Sequence, residues 1–167
     1  IQTNLINYYQ KKFKNKFKIN KIDDFTKEKY VLTDDKVASF DMQENQVLFY
    51  FLSNKEKYLG VKISFSGHHS IIINQNQSIS LLFDNGNVID LKNTNIEAGK
   101  LKGNGGLLSS TDFDILFVLN EDLVNSLKTK IVKIRVNTTD GFKDFDVKEK
   151  RYNKILETLN CFLLEIK

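Results

Sequence analysis

His68 and His69 are the only imidazoles in the chain, and they are adjacent. Neighbouring side chains point to opposite faces of an extended backbone, so a shared metal ion demands an irregular turn. Ser66, Gly67 and Ser70 supply turn residues, but no third ligand stands at a recognisable metal spacing. His68 and His69 are therefore the metal candidates of this sequence, with a solvated turn as the simpler expectation. Cys161 is the only thiol, which excludes an internal disulfide and a four-thiolate metal site. It sits beside an apolar helical stripe, where a buried and inert thiol is expected. Gly99, Gly103, Gly105 and Gly106 suggest a phosphate loop, but the spacing matches neither the P-loop nor the dinucleotide fingerprint. They also precede a predicted strand rather than opening a helix that could hold an anion, so a long loop over 98–111 is expected. No G-x-S-x-G surrounds any serine. The carboxylate pairs Asp23-Asp24 and Asp34-Asp35 fall in expected loops with no defined geometry. No acid, base and oxyanion site assemble, so the sequence predicts no enzyme, no cofactor and no small-molecule site.

Charge is the other chemistry on offer. Residues 1–30 carry eight lysines against Asp23, Asp24 and Glu28, a balance of +5, while the remaining 137 residues balance at −1. Lys11, Lys12, Lys14, Lys16 and Lys18, interleaved with Phe13 and Phe17, are the candidate contacts to a phosphate backbone or an anionic lipid surface. Nucleic acid is the less favoured partner. Single-strand binders add arginine and several exposed aromatics, whereas Arg135 and Arg151 are the only arginines and both phenylalanines belong to an apolar face. Abundant Lys, Asn and Ile also reflect an AT-rich coding bias.

The elements that must position these residues are mostly strands. Leu5, Ile6, Tyr9 and Phe13 recur at helical spacing and predict an amphipathic helix over 2–14, followed by a short extended piece. Leu59, Val61, Ile63 and Phe65 alternate with polar or small residues, a half-buried strand. If the four residues Asn54 to Lys57 form the turn back to the preceding apolar run, Leu52 faces Leu59, Tyr50 faces Val61 and Leu48 faces Ile63. Phe51 then covers Gly60, an aromatic ring over a strand glycine. Asp84-Asn85-Gly86-Asn87 predicts a second hairpin, with a type I′ turn. In a third, closed by Thr138 to Gly141, Ile134 pairs with Phe145 and Val132 with Val147 on one face. Arg135 pairs with Asp144 and Lys133 with Asp146 on the other. Asn120 caps a short helix, with Leu119 stapled to Val124. Asp146 and Glu149 form a capping-box-like pair at the start of the last helix. Its stripe of Tyr152, Ile155, Leu156, Leu159, Phe162, Leu163 and Ile166 must pack on the sheet.

A chain of 167 residues and 19.4 kDa, 41% hydrophobic and 28% charged, builds a core without staples and contains no run long enough to span a bilayer. The expected fold is one α+β domain over 1–167, mainly antiparallel β-sheet, sandwich-like or strongly curled. Within it lie a basic arm at 1–30, a β-rich body at 36–147 and a sheet-covering C-terminal helix at 147–166.

The run Ile131-Val132-Lys133-Ile134-Arg135-Val136-Asn137-Thr138-Thr139-Asp140-Gly141, then a strand and a helix ending near Asn160-Cys161, resembles the tails of small exported bacterial proteins of unknown function. The likeness covers 112–165 and implies an extracytoplasmic location. The chain opens on Ile1 rather than methionine, which fits removal of a secretory signal and equally a trimmed sequence. The functional expectation is an exported, non-catalytic accessory module for a protein or envelope component. The alternative is an anionic polymer or membrane surface held by the basic arm.

Overall fold

The computed structural model describes residues 16–67, 69–75, 77–92, 96–103 and 109–167, so the helix expected over 2–14 lies outside it. Three antiparallel sheets form among the described residues. In the largest, β1 (Phe17–Ile22), β2 (Lys29–Thr33), β4 (Gln46–Asn54), β5 (Glu56–Ser66), β11 (Ser110–Val118) and β10 (Lys100–Lys102) lie side by side in that order. A seventh strand, β3 (Lys36–Phe40), shares with β2 the edge of β4 not taken by β5. The second sheet runs β13 (Gly141–Asp146), β12 (Ile131–Thr138), β7 (Ser78–Phe83), β8 (Val88–Lys92). Two short strands, β6 (Ile72–Ile73) and β9 (Glu97–Ala98), make the third. The helices among the described residues are α1 (Glu121–Leu127) and α2 (Glu149–Glu165). Neither is long and apolar enough to cross a membrane.

The architecture is the expected α+β one, dominated by a strongly curled antiparallel sheet. One continuous apolar cluster joins both larger sheets and α2. Phe65 of β5 lies 6.1 Å from the ring of Phe113 and 6.4 Å from that of Phe145, joining the two sheets. Phe162 of α2 stacks on Phe51 of β4 at 5.7 Å. Tyr152 donates its hydroxyl to the Leu127 carbonyl, tying α2 to α1. Thr158 and Cys161 are buried with the helix stripe, while Leu156, Leu163 and Ile166 are only half-buried.

The β12–β13 hairpin forms in the expected register. Ile134 pairs with Phe145, Arg135 with Asp144 and Lys133 with Asp146, and the Val147 amide donates to the Val132 carbonyl. Arg135 grips Asp144 through two hydrogen bonds of 2.6 and 2.8 Å. Asn120 caps α1 by accepting from the Leu123 amide at 2.9 Å.

Other expectations are corrected. The β4–β5 hairpin is slipped by one residue: Leu52 pairs with Tyr58, Phe51 with Leu59, Tyr50 with Gly60, Phe49 with Val61 and Leu48 with Lys62. The turn is tighter than four residues. Asn54 pairs with Glu56, and Lys55 alone turns the chain at φ +63°. Strand side chains alternate faces, so this slip sends Val47, Phe49 and Phe51 to the core and Tyr50 to the outer face. The ring over Gly60 is therefore Tyr50, not Phe51. At 84–87 only Gly86 has positive φ, and the Phe83 amide donates to the Asn87 carbonyl. That is a type I turn with a glycine bulge rather than type I′.

Asp146 does not cap α2. It stays in β13 opposite Lys133, and Lys148 occupies the cap position without a side-chain hydrogen bond. Part of the expected 98–111 loop is sheet, since β10 pairs with β11. The basic arm also contributes structure, because β1 and β2 belong to the largest sheet.

Candidate functional site

Of the lysines expected to form one row, only Lys16 and Lys18 are among the described residues, and these two do not share a partner. Lys11, Lys12 and Lys14 lie outside the described residues. The β1–β2 register shifts between Phe17 and Ile19, and the two lysines flanking Phe17 take different partners. Lys16 pairs with Glu157 of α2 at 2.5 Å, and Lys18 pairs with Asp35 at 2.7 Å.

Asp35, expected in a loop without defined geometry, is a hub on the outer face. It accepts from Lys18 and, through both oxygens at 3.1 Å, from Lys62, whose ammonium lies 4.9 Å from the centre of the Tyr50 ring. Partial burial pushes the Asp35 carboxyl up, but the hydrogen bonds and charges of Lys18 and Lys62 outweigh it and hold the group below its ordinary value. A depressed carboxyl adds stability above its unfolded pKa of about 4, and loses it as pH falls through the lower folded value. Asp35→Asn is therefore expected to lower neutral-pH stability by about 1 kcal/mol or less per pair. It should also flatten the acid limb, which urea midpoints measured from pH 7 to pH 2 will show. Asp23, likewise, is ordered: its carboxylate accepts from the Phe25 and Thr26 amides and closes the β1–β2 turn.

Between β3 and α2 lies an open groove of about 680 Å³. The strand contributes Lys36, Val37 and Phe40, the helix contributes Arg151, Lys154, Glu157 and Thr158, and Lys16, Asp35 and Gln46 complete the lining. Residues three and four apart share a helix face, which is how 151, 154, 157 and 158 come to line one wall. On the strand, the β3–β4 register shifts between Val37 and Ser39. Ala38 and Ser39 are both buried, leaving Val37 and Phe40 exposed.

Within the groove Lys16 is matched by Glu157, and Asp35 is occupied by Lys18 and Lys62. Lys36, Arg151 and Lys154 have no carboxylate within ion-pair distance among the described residues. Three uncompensated cations thus stand beside two exposed apolar side chains. Such a wall concentrates negative charge and offers apolar contact as well. Its described lining residues include no His, Cys or Ser.

His69 is elsewhere, in an exposed turn after β5. Its Nε2 lies 2.7 Å from the Ser66 carbonyl oxygen, and its amide donates to Thr111 Oγ1. It borders a second hollow of about 470 Å³ with Asn45, Asp140 and Lys143. There Lys143, the one Lys or Arg among the described lining residues, is matched by Asp41 at 2.9 Å, so this hollow lacks the unmatched cations of the first. His68 lies outside the described residues. Among those described, no three His, Cys, Asp or Glu side chains converge as a metal set. Cys161 is buried in α2.

Lys36, Arg151 and Lys154 were not singled out by sequence reasoning. The i, i+3 spacing of Arg151 and Lys154 was the available signal, but their meeting with β3 has no local signature. Comparison with known proteins brings no family model, curated protein or solved structure that matches this chain, and nothing that bears on the likeness to exported bacterial proteins.

Proposed function

We propose that the protein is a non-catalytic interaction module that binds a partner protein through an acidic, partly apolar segment seated in the β3–α2 groove. The observation that supports this reading is the cluster of Lys36, Arg151 and Lys154, without carboxylate partners among the described residues, beside Val37 and Phe40. An exported location is part of the proposal, resting on the likeness of the C-terminal third to exported proteins. The alternative, an anionic surface held by the Lys11–Lys18 row, is weakened because Lys16 and Lys18 are engaged by Glu157 and Asp35.

The test is fluorescence anisotropy with a labelled peptide of alternating glutamate and valine. Arg151→Glu with Lys154→Glu should weaken binding at least ~10-fold, since rejecting like charge costs more than losing attraction. Thermal stability should barely change, because neither side chain forms an ion pair among the described residues. Equal affinity for the variant, or tighter binding to phosphatidylserine vesicles than to peptide, would overturn the reading.

A further inference from the structure

We infer that Asn85 is a self-modifying site of the folded chain: the Gly86 nitrogen displaces its side-chain ammonia and leaves aspartate or isoaspartate in the β7–β8 turn. The site lies on that hairpin, apart from the β3–α2 groove.

The chain contains two Asn-Gly steps, Asn85-Gly86 and Asn104-Gly105, and the second lies outside the described residues. Asparagine is a chemically labile residue. Its carboxamide carbon is one ring closure away from the next main-chain nitrogen, and glycine puts no side chain in the way. A Cβ at Gly86 would meet nothing within 4 Å, and residues 84–87 are all exposed, so water reaches the turn.

Two hydrogen bonds act on the reaction in opposite directions. The Asn87 amide donates to Asn85 Oδ1 at 3.0 Å. Negative charge develops on that oxygen when the carboxamide carbon is attacked, and a main-chain N–H at this distance stabilises it. Against this, the Gly86 amide donates to the Phe83 carbonyl at 3.0 Å, which occupies the nucleophile. That bond belongs to an exposed turn, not a buried ladder, and such bonds break by local opening far more often than the whole fold does. The tip can therefore release the nucleophile while β7 and β8 stay paired.

The atoms balance with water and hydroxide alone. Hydroxide takes the Gly86 amide proton, the nitrogen bonds to Asn85 Cγ, and the Cγ–Nδ2 bond breaks. Nδ2 leaves as ammonia, taking a proton from water and regenerating hydroxide. Water then opens the five-membered imide. Opening at Cγ restores the main chain and gives aspartate. Opening at the main-chain carbonyl routes the chain through Cβ and gives isoaspartate, a backbone one atom longer. Either product adds a carboxylate beside Asp84. The longer one disturbs the Gly86–Phe83 and Phe83–Asn87 bonds that close the turn.

The test incubates the full chain at mildly alkaline pH, folded and unfolded in guanidinium chloride, and locates deamidation by tandem mass spectrometry. The folded chain should convert at Asn85 within ~100-fold of the unfolded rate, with isoaspartate among the products. Asn85→Gln, whose ring would need six members, should lower conversion at this position at least ~10-fold. Folded conversion more than ~100-fold slower than unfolded would mean that the Phe83 carbonyl locks the nucleophile, and the inference falls. It falls as well if neither state converts, or if Asn85→Gln converts as fast as the parent.

Discussion

Phe162→Ala is expected to cost about 3–5 kcal/mol, the largest single loss this fold offers. Phe162 is fully buried and stacks on Phe51, itself fully buried, so truncation leaves a ring-sized void against β4. Its neighbours cannot fill that void cheaply, because Ile155 and Leu159 are already packed in the same layer. At 167 residues each kcal/mol moves the midpoint by roughly 2–4 °C, so a drop on the order of 10–15 °C should appear in a thermal melt. Hydrogen exchange carries the sharper information. If α2 is held to the sheet mainly by this contact, its amides should lose protection before those of β4, β5 and β11. A variant that melts within ~2 °C of the parent would mean that α2 does not close this core.

The same helix supplies one wall of the groove, so its packing and the function are linked. Ile155 and Leu159 anchor the inner face, which leaves Arg151 and Lys154 turned toward β3. A destabilised α2 should therefore weaken peptide binding even though Phe162 does not itself line the groove.

What the sequence disclosed depended on whether each stretch carried a directional pattern. In β12 and β13, charge lies on one face and apolar pairs on the other, so a single register satisfied both, and it is the one observed. The run from Val47 to Leu52 is apolar on both faces and gave no such vote. Its register then hung on counting turn residues, and the tight reversal at Lys55 shifted it by one. Asp146 fitted two local roles, cap and strand partner, and the hairpin ladder took it. Lys16 and Lys18 take separate partners across the register shift between Phe17 and Ile19, an irregularity that simple alternation does not foresee. The groove was illegible for a different reason: Lys36 and Arg151 are more than a hundred residues apart, and only tertiary packing brings them to one cavity.

Gly60→Ala should be nearly as damaging as the helix truncation, by the opposite mechanism. A β-carbon at position 60 would overlap the end of the Tyr50 ring, which lies across the glycine. The ring tip of an exposed tyrosine would swing aside at little cost, but this one is only 7% exposed, and its hydroxyl donates to Asp114 at 2.6 Å. Burial and that hydrogen bond together push the Tyr50 phenol above its ordinary range, keeping it a neutral donor. Moving the ring therefore combines overpacking of about 1–3 kcal/mol with loss of a charged hydrogen bond worth about 1.5–3 kcal/mol. A net loss near 3 kcal/mol is expected, read as a urea midpoint shift at constant slope. The double variant with Tyr50→Ala separates clash from strand propensity. With the ring gone, the added methyl should cost less than about 1 kcal/mol, giving a coupling of roughly 2 kcal/mol between the two positions. Additive losses would mean that the ring does not lie over Gly60, and the slipped β4–β5 register, which puts Phe49 and Phe51 in the core, would go with it.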